Sequence, residues 1–394
     1  MRVAIIGAGA AGLMAGGLIS RRGHEVTIFD ASERVGKKIN ITGKGRCNLT
    51  NACSNEQFLE NIVNGRDFFR GALSRFTPFD TINFFEELGV PTKVERGNRV
   101  FPVSDSAFSI SNALEKFCSG CNIKLNHRVK DVYKDGEEFV VDNRRFDRLV
   151  IATGGKSYPS TGSTGDGYIM AKKFGHTIIE PRPALVPIMV EDDYTSLAGL
   201  SLKNVTLHCK IKNKKLEQFG EMLFMPNGIT GPIVLTMSSF INRQTDIEIY
   251  LDLKSALSHE QLEKRLLREF ENAKNKNIIT VMHTLLPKSL ADFTLKKINL
   301  NDQRKVNSIT ASERKAIVDV LKRWTIKYKM LYPIESAVVT SGGVFLKEVN
   351  PKSLQSKLCP GLYFAGEVLD IDALTGGFNL QIAFSTAFSL SQDF

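Results

Sequence analysis

Outside one stretch near its start, the chain has no apolar run long enough to cross a bilayer. That stretch, residues 3–20, carries five glycines, at 7, 9, 12, 16 and 17, and is followed at once by a strand ending in an acid. A signal peptide or membrane anchor is excluded on that composition, and a cytoplasmic address is expected. A metal-ligand set is also lacking. The six cysteines stand at 47, 53, 118, 121, 209 and 359, and only Cys118 and Cys121 form a C-x-x-C, without a second pair or nearby histidines. That is a poor zinc site, so no metal is expected. The pair follows an amphipathic helix end and reads as structural thiols rather than a redox dithiol. No internal repeat and no low-complexity tract is present. Acids are in deficit, with 52 Lys and Arg against 42 Asp and Glu, a net charge of +10. Most of the excess sits at 256–334, which holds 16 basic against 8 acidic residues. Aromatics are not interleaved there as a single-strand stacking platform requires, so the segment reads as a solvated helical face and nucleic acid is not the expected partner.

What is there begins with residues 2–30. Val3 to Ile6 is a short β-branched run that reads as a buried strand, and Gly7, Gly9 and Gly12 follow in the spacing G-x-G-x-x-G. A helical stretch runs to Arg22, Gly23 stops it, and a second strand ends in Asp30. A strand–turn–helix–strand unit with an acid beyond its glycines is the context a dinucleotide fingerprint needs. The glycines serve a tight turn, close approach to a pyrophosphate, and close helix–strand packing. The backbone of Gly7, Ala8, Gly9, Ala10, Ala11 and Gly12 would cradle phosphates at a helix N-terminus, with Asp30 and Ala31 at the ribose.

Residues 37–51 are dense in Gly, Asn and Thr and carry Lys37, Lys38, Lys44 and Arg46, which suits a second wall around an anionic cofactor. Residues 56–88 read as helices, 97–102 as a turn bearing an exposed Arg99, and 106–117 as a further helix. From 123 the period falls to two, giving strands at 124–132, 138–141 and 146–151. The last runs into Ala152-Thr-Gly-Gly. A parallel unit, an antiparallel meander and a returning apolar strand is the ordering of FAD domains, whereas nicotinamide domains continue with alternating helices and strands. After Pro181, Pro183 and Pro187 the chain turns β-rich over 188–254, then helical over 258–323, with Ser258 and Ser312 as candidate N-caps. A strand is expected at 336–340. The final segment offers a strand ending in Gly366 and Glu367, whose carboxylate suits a ribitol hydroxyl. It continues into a helix near Gly377, whose N–H groups suit the flavin's pyrimidine edge. The polar Asn379 and Gln381 there read as functional.

Several separated pieces together resemble the BaiN-like, or aminoacetone-oxidase-family, group of bacterial FAD-dependent flavoproteins. They are residues 7–12, 42–51 (Thr-Gly-Lys-Gly-Arg-Cys-Asn-Leu-Thr-Asn), 99–102, 152–159 (Ala-Thr-Gly-Gly-Lys-Ser-Tyr-Pro), 163–168, 340–344, 361–370 and 376–381 (Gly-Gly-Phe-Asn-Leu-Gln). The resemblance implies an α/β fold: a Rossmann-type, three-layer ββα FAD-binding domain from 1–187 and 335–394. It also implies an inserted β-rich domain at 188–257 and 324–334, carrying a helical insert at 258–323. It places the flavin against Gly43, Gly45, Arg46 and Asn48, against Val129, Ala152, Thr153 and Gly154, and against Gly377, Phe378, Asn379 and Leu380. Three positions depart from the family pattern. Met225-Pro226 stands where Thr-His is frequent, Phe378 replaces a frequent tyrosine, and Lys44 stands where glycine is common.

The function expected is two-electron transfer between flavin N5 and a small organic substrate. With a single fingerprint there is no second Rossmann domain, so either NAD(P)H docks directly on the flavin as a transient co-substrate or oxygen reoxidises it. Arg46 and Arg99 are candidates for orienting a substrate and equally for structural ion pairs. Neither His127, in an expected strand, nor His176, just after Gly175, reads as a base, and no proton-transfer residue is assigned. Two alternatives stay open: a flavoprotein acting on RNA through the basic 256–334 segment, and a redox sensor with Cys47 as its responsive thiol.

Overall fold

Val3, Ala4, Ile5 and Ile6 are buried because Arg2–Ile6 is the central strand of a five-stranded sheet. The order is Leu362–Phe364, Arg148–Ile151, Arg2–Ile6, Glu25–Phe29, Asn122–Lys124, and every neighbouring pair is parallel. A strand covered on both faces needs a continuous apolar run, which is what these segments supply. One face packs on the antiparallel meander Val132–Asp135, Glu138–Val141, Arg144–Phe146. Helices Ala10–Arg21, Ala107–Phe117 and Phe378–Ser391 form the third layer. This is the Rossmann-type three-layer arrangement expected from the order of elements.

In the computed structural model, which describes every residue except 213, the chain divides into two units. The first is Met1–Ala184 with Pro333–Phe394, and the second is Leu185–Tyr332. The second is built on a seven-stranded antiparallel sheet, with Ser201–Ile211 between Lys214–Met225 and Ile247–Asp252. Val205, Leu207, Cys209 and Ile211 alternate inward along that strand. Helices His259–Asn272, Ile278–Leu285, Lys288–Lys297 and Ala311–Lys322 lie between the strands Ile247–Asp252 and Trp324–Ile326. Among the described residues no helix is long and apolar enough to cross a membrane.

Several local expectations change. The strand expected at 124–132 is mostly loop, so His127 lies outside any strand: Asn126 takes a left-handed backbone with φ 52°, and the Asp142 carboxylate accepts the N–H groups of Lys130 and Asp131. The run at 146–151 splits at Asp147 into a meander strand and a parallel strand. Residues 97–102 close a hairpin of Thr92–Glu95 with Arg99–Pro102. A short strand, Ile62–Asn64, interrupts the helices at 56–88 and pairs with Asp372–Ala373. The strand expected at 336–340 is Val339–Val344. The cap of Ala311–Lys322 is Thr310, which forms a full capping box with Glu313, rather than Ser312. Ser258 does cap its helix, with Gln261 completing the box.

Gln381 is structural. Its Oε1 accepts from the hydroxyls of Thr50 and Thr81 at 2.6 and 2.7 Å, and its Nε2 donates to Phe76 O and Ser385 Oγ at 3.1 and 3.0 Å. Fully buried, it joins Thr50, Phe76 and Thr81 to the final helix and has no capacity left for a ligand. Replacing it with alanine strands the hydroxyls of Thr50 and Thr81, a cost of about 3 kcal/mol, while Phe76 O keeps the Ser385 hydroxyl. The first unit should then melt roughly 6–12 °C lower. A Gln381→Ala protein that melts with the wild type would show the network carries no stability.

Candidate functional site

The turn after the first strand forms only with glycine. Gly7 has φ 110°, and a Cβ there would sit 2.4 Å from Ala152 O. A Cβ on Gly12 would lie 1.8 Å from Gly7 O, so the helix can rest on the turn only without one. Gly9 is different: nothing lies within 4 Å of its Cβ position, and as N-cap it supplies no side chain to the helix Ala10–Arg21. The helix N-terminus therefore has no side-chain cap, with space left open at Gly9. At the end of the second strand Asp30 accepts from Ala8 N–H at 2.6 Å and from Ser32 N–H at 2.7 Å, with Ala31 exposed beside it. A carboxylate has about four acceptor positions, so two bonds leave room for a ribose.

The C-terminal strand end meets this cradle. A Cβ on Gly366 would touch that of Ala11 at 3.1 Å. Glu367 accepts from Lys38 Nζ at 2.7 Å, from the Ser157 hydroxyl at 3.1 Å and from Thr340 N–H at 2.8 Å. Burial pushes this carboxyl up, but the Lys38 ammonium and the hydrogen bonds outweigh it and hold it below the ordinary value. Lys38 and Glu367, read separately as cofactor contacts, thus meet as an ion pair beside Gly154 and Gly155. Lys37 pairs instead with Glu33. Val129 is buried in the loop past Lys124, and Ala152, Thr153 and Gly154, the last with φ 74°, turn out of the strand Arg148–Ile151. The Tyr168 hydroxyl is buried with no partner among the described residues, and burial near Glu367 and Asp370 keeps it protonated. An uncapped helix N-terminus with open space at Gly9, a strand-end carboxylate and an orphan hydroxyl together fit a dinucleotide such as FAD.

The loop at 42–51 is pinned to the start of the final helix. Gly43, Lys44 and Gly45 all have positive φ, which lifts the loop's backbone into a bulge. With its amide oriented to suit its neighbours, Asn48 donates to Val100 O and Thr50 O and accepts Gly377 N–H at 3.0 Å. Asn51 Nδ2 donates to Gly97 O and Gly376 O, each at 3.0 Å. Phe378 is buried edge-on against Phe58, with centroids 4.9 Å apart, and Leu380 is half-buried behind it. Asn379 spends its amide on Ala373 and Leu374, so its side chain holds its own loop rather than facing a ligand.

Of the two roles left open for Arg46, the ion pair is the one present. Its guanidinium is clamped by Glu95 and Asp105, Nε reaching Asp105 at 2.8 Å, and it stacks 4.2 Å over Phe101. It braces the loop and is not free to orient a substrate. Cys47 does not suit a redox sensor: fully buried, its thiol is pushed up to about 12, only partly offset by its bond to Thr42. Arg99 pairs with no acid among the described residues; its Nε donates to Arg96 O, and it lies in the wall of a cavity of about 520 Å³. Asn48, Asn51, Gln57, Glu60, Asn61 and Asn98 give that wall its polarity, and Cys53, Thr375, Gly376 and Phe378 complete most of the rest. The sequence reading singled out only Asn48, Arg99 and Phe378 of these. The signal available was the density of asparagine at 48, 51, 61 and 98, scattered over three segments.

Two outcomes follow. Gly9→Asp should fold normally, because its Cβ meets nothing and φ is −86°, yet the protein should purify without flavin absorbance, since the carboxylate occupies the phosphate end of the helix. Full flavin occupancy in that variant would remove the phosphate cradle from Gly9. The depressed carboxyl of Glu367 stabilises the fold fully above its unfolded value of about 4.5 and loses that contribution as pH falls through its lower folded value. Glu367→Gln should therefore melt lower near neutrality and converge with wild type in acid; parallel curves would contradict the ion pair's role.

Residues 1–393 match the family described as HI0933-like protein Rossmann domain. A ribosomal RNA dihydrouridine synthase of Haemophilus influenzae is 32% identical over 400 residues, covering 98% of this chain and 96% of that protein. A 3-dehydro-bile acid delta(4,6)-reductase of Clostridium scindens is 30% identical over 402 residues, covering 98% and 97%. Among solved structures, the 3-ketosteroid-delta4-(5alpha)-dehydrogenase of Rhodococcus jostii RHA1 matches with a TM-score of 0.50 at 13% identity, over 99% of this chain and 96% of that one. At that identity the likeness concerns the fold.

Proposed function

Because the chain belongs to the HI0933-like Rossmann-domain family of FAD-binding oxidoreductases, we propose that it reduces a carbon–carbon double bond conjugated to a carbonyl, with a uracil ring of ribosomal RNA as substrate. The protein is a FAD-dependent oxidoreductase; what the proposal adds is direction, bond and substrate. The names of the two curated relatives both denote hydrogenation of such a bond, in a 3-oxo steroid diene or in uridine. When bound, FAD supplies the two-electron exchange, and a nicotinamide is the natural class of donor for it.

The observation that carries the substrate choice is the cavity lining. A steroid presents hydrocarbon to its pocket, and polar walls left unpaired against hydrocarbon cost free energy. Four asparagines, a glutamine, a glutamate and an arginine suit a ring that offers one N–H donor and two carbonyl acceptors. The basic excess at 256–334 adds support. Lys264, Lys276, Lys296, Lys305 and Lys315 are all exposed in the second unit, as phosphate contacts require. The small organic substrate expected from sequence thereby becomes a base held in a polymer.

The experiment is anaerobic. Oxidised protein is mixed with NADH or NADPH until the flavin bleaches, and unmodified ribosomal RNA transcript or a 3-oxo-4,6-diene steroid is then added. Reoxidation by RNA, with dihydrouridine in the digest, is expected; reoxidation by the steroid alone would defeat the RNA reading. Arg99→Ala should raise KM for RNA about tenfold with kcat nearly unchanged, as loss of one charged contact does.

A further inference from the structure

Reduction of a conjugated double bond delivers a hydride to the carbon β to the carbonyl and a proton to the α carbon. The proton needs an acid that is still protonated at neutral pH and lies in the substrate's cavity. Arg99 does not release a proton there, and Glu60 is exposed at the rim. Cys53 is the remaining acid in the wall. It is 7% exposed, and burial raises its thiol above the ordinary value, so it stays in the S–H form.

A second feature of the same wall points to the ligand. Asn51 is 5% exposed and lines the cavity. Its Nδ2 is spent on Gly97 O and Gly376 O, which leaves Oδ1 as an acceptor with no donor among the described residues. An acceptor left open at the cavity surface can take an N–H or O–H from whatever enters. A turn closed by Cys53 N–H to Asn51 O at 2.8 Å fixes the spacing of the two residues. Uracil matches the pair, since its N3–H is a donor and its C5 takes the proton while C6 takes the hydride.

We propose that Asn51 Oδ1 accepts the ring N–H of the substrate and that Cys53 is the catalytic acid that protonates the α carbon. The inference rests on the reading of the chain as a uracil reductase. In the balanced step the C5–C6 π bond is lost and two C–H bonds form. A bound flavin reduced by a nicotinamide would supply the hydride; Cys53 Sγ gives the proton, and the thiolate left behind is reprotonated by water. The mechanism needs the thiol protonated, so the rate should hold through neutral pH and fall as pH rises through its raised value.

The test uses flavin-loaded full-length protein, prereduced anaerobically and mixed with unmodified ribosomal RNA transcript. Cys53→Ala should bind FAD and accept electrons from NADPH as wild type does, yet be reoxidised by RNA at least about 100-fold more slowly. Cys53→Ser, closer in shape, guards against a folding artefact and should also be slow, because a hydroxyl is a far weaker acid. A transcript made with N3-methyluridine should bind more weakly to wild type, read by flavin fluorescence, and methyl methanethiolsulfonate should label Cys53 unless RNA is present. If Cys53→Ala is reoxidised as fast as wild type while dihydrouridine still forms, the acid is elsewhere and the uracil reading stands. If wild type forms no dihydrouridine, that reading and this inference both fall. Methyluridine binding equal to uridine would overturn the role of Asn51.

Discussion

At Gly377 the backbone of the final helix comes so close to the loop at 42–51 that a Cβ would lie 2.3 Å from Thr50 O. Around that approach four further contacts gather: Asn48 with Gly377, Asn51 with Gly376, and Thr50 and Thr81 with Gln381. Residues 300 or more positions apart in the chain are thereby locked together, with buried amide hydrogen bonds replacing water. The polar cavity exists because of this joint. Its walls are the outer surfaces of the same loop, the hairpin tip at 97–99 and the residues just before the final helix.

The same joint divides labour among polar side chains that look alike in sequence. Gln381 and Asn379 are consumed by the scaffold, Arg46 is neutralised by Glu95 and Asp105, and the Lys38–Glu367 pair ties the cofactor loops to the last strand. The cavity wall keeps three groups available to a ligand: the Asn51 oxygen, the Arg99 guanidinium and the Cys53 thiol. Unspent hydrogen-bonding capacity in a buried wall is destabilising by itself and persists where a ligand uses it.

The parts legible in the sequence were those encoded locally. The strand, glycine turn, helix and Asp30 occupy thirty consecutive residues, and their periodicity and spacing specify one geometry. The layer order followed from the meander before Ala152. The errors share a cause. The loop at 125–131 is held by Asp142, whose carboxylate captures N–H groups 11 and 12 positions away, and no local period reveals that. Between substrate clamp and ion pair the sequence left Arg46 open, because its acidic partners lie 49 and 59 residues further on. Cys53 and Asn51 carried no motif role that set them apart, since a cavity wall drawn from four segments has no periodicity.

Hydrogenation of a uracil ring within ribosomal RNA is the activity we propose for the chain. Its most direct measurement is a mass-spectrometric map of ribosomal RNA from the source organism with and without the gene. One uridine two mass units heavier in the wild type, absent from the deletion strain and restored by the intact gene, is the expected result. Identical maps from the two strains would contradict it.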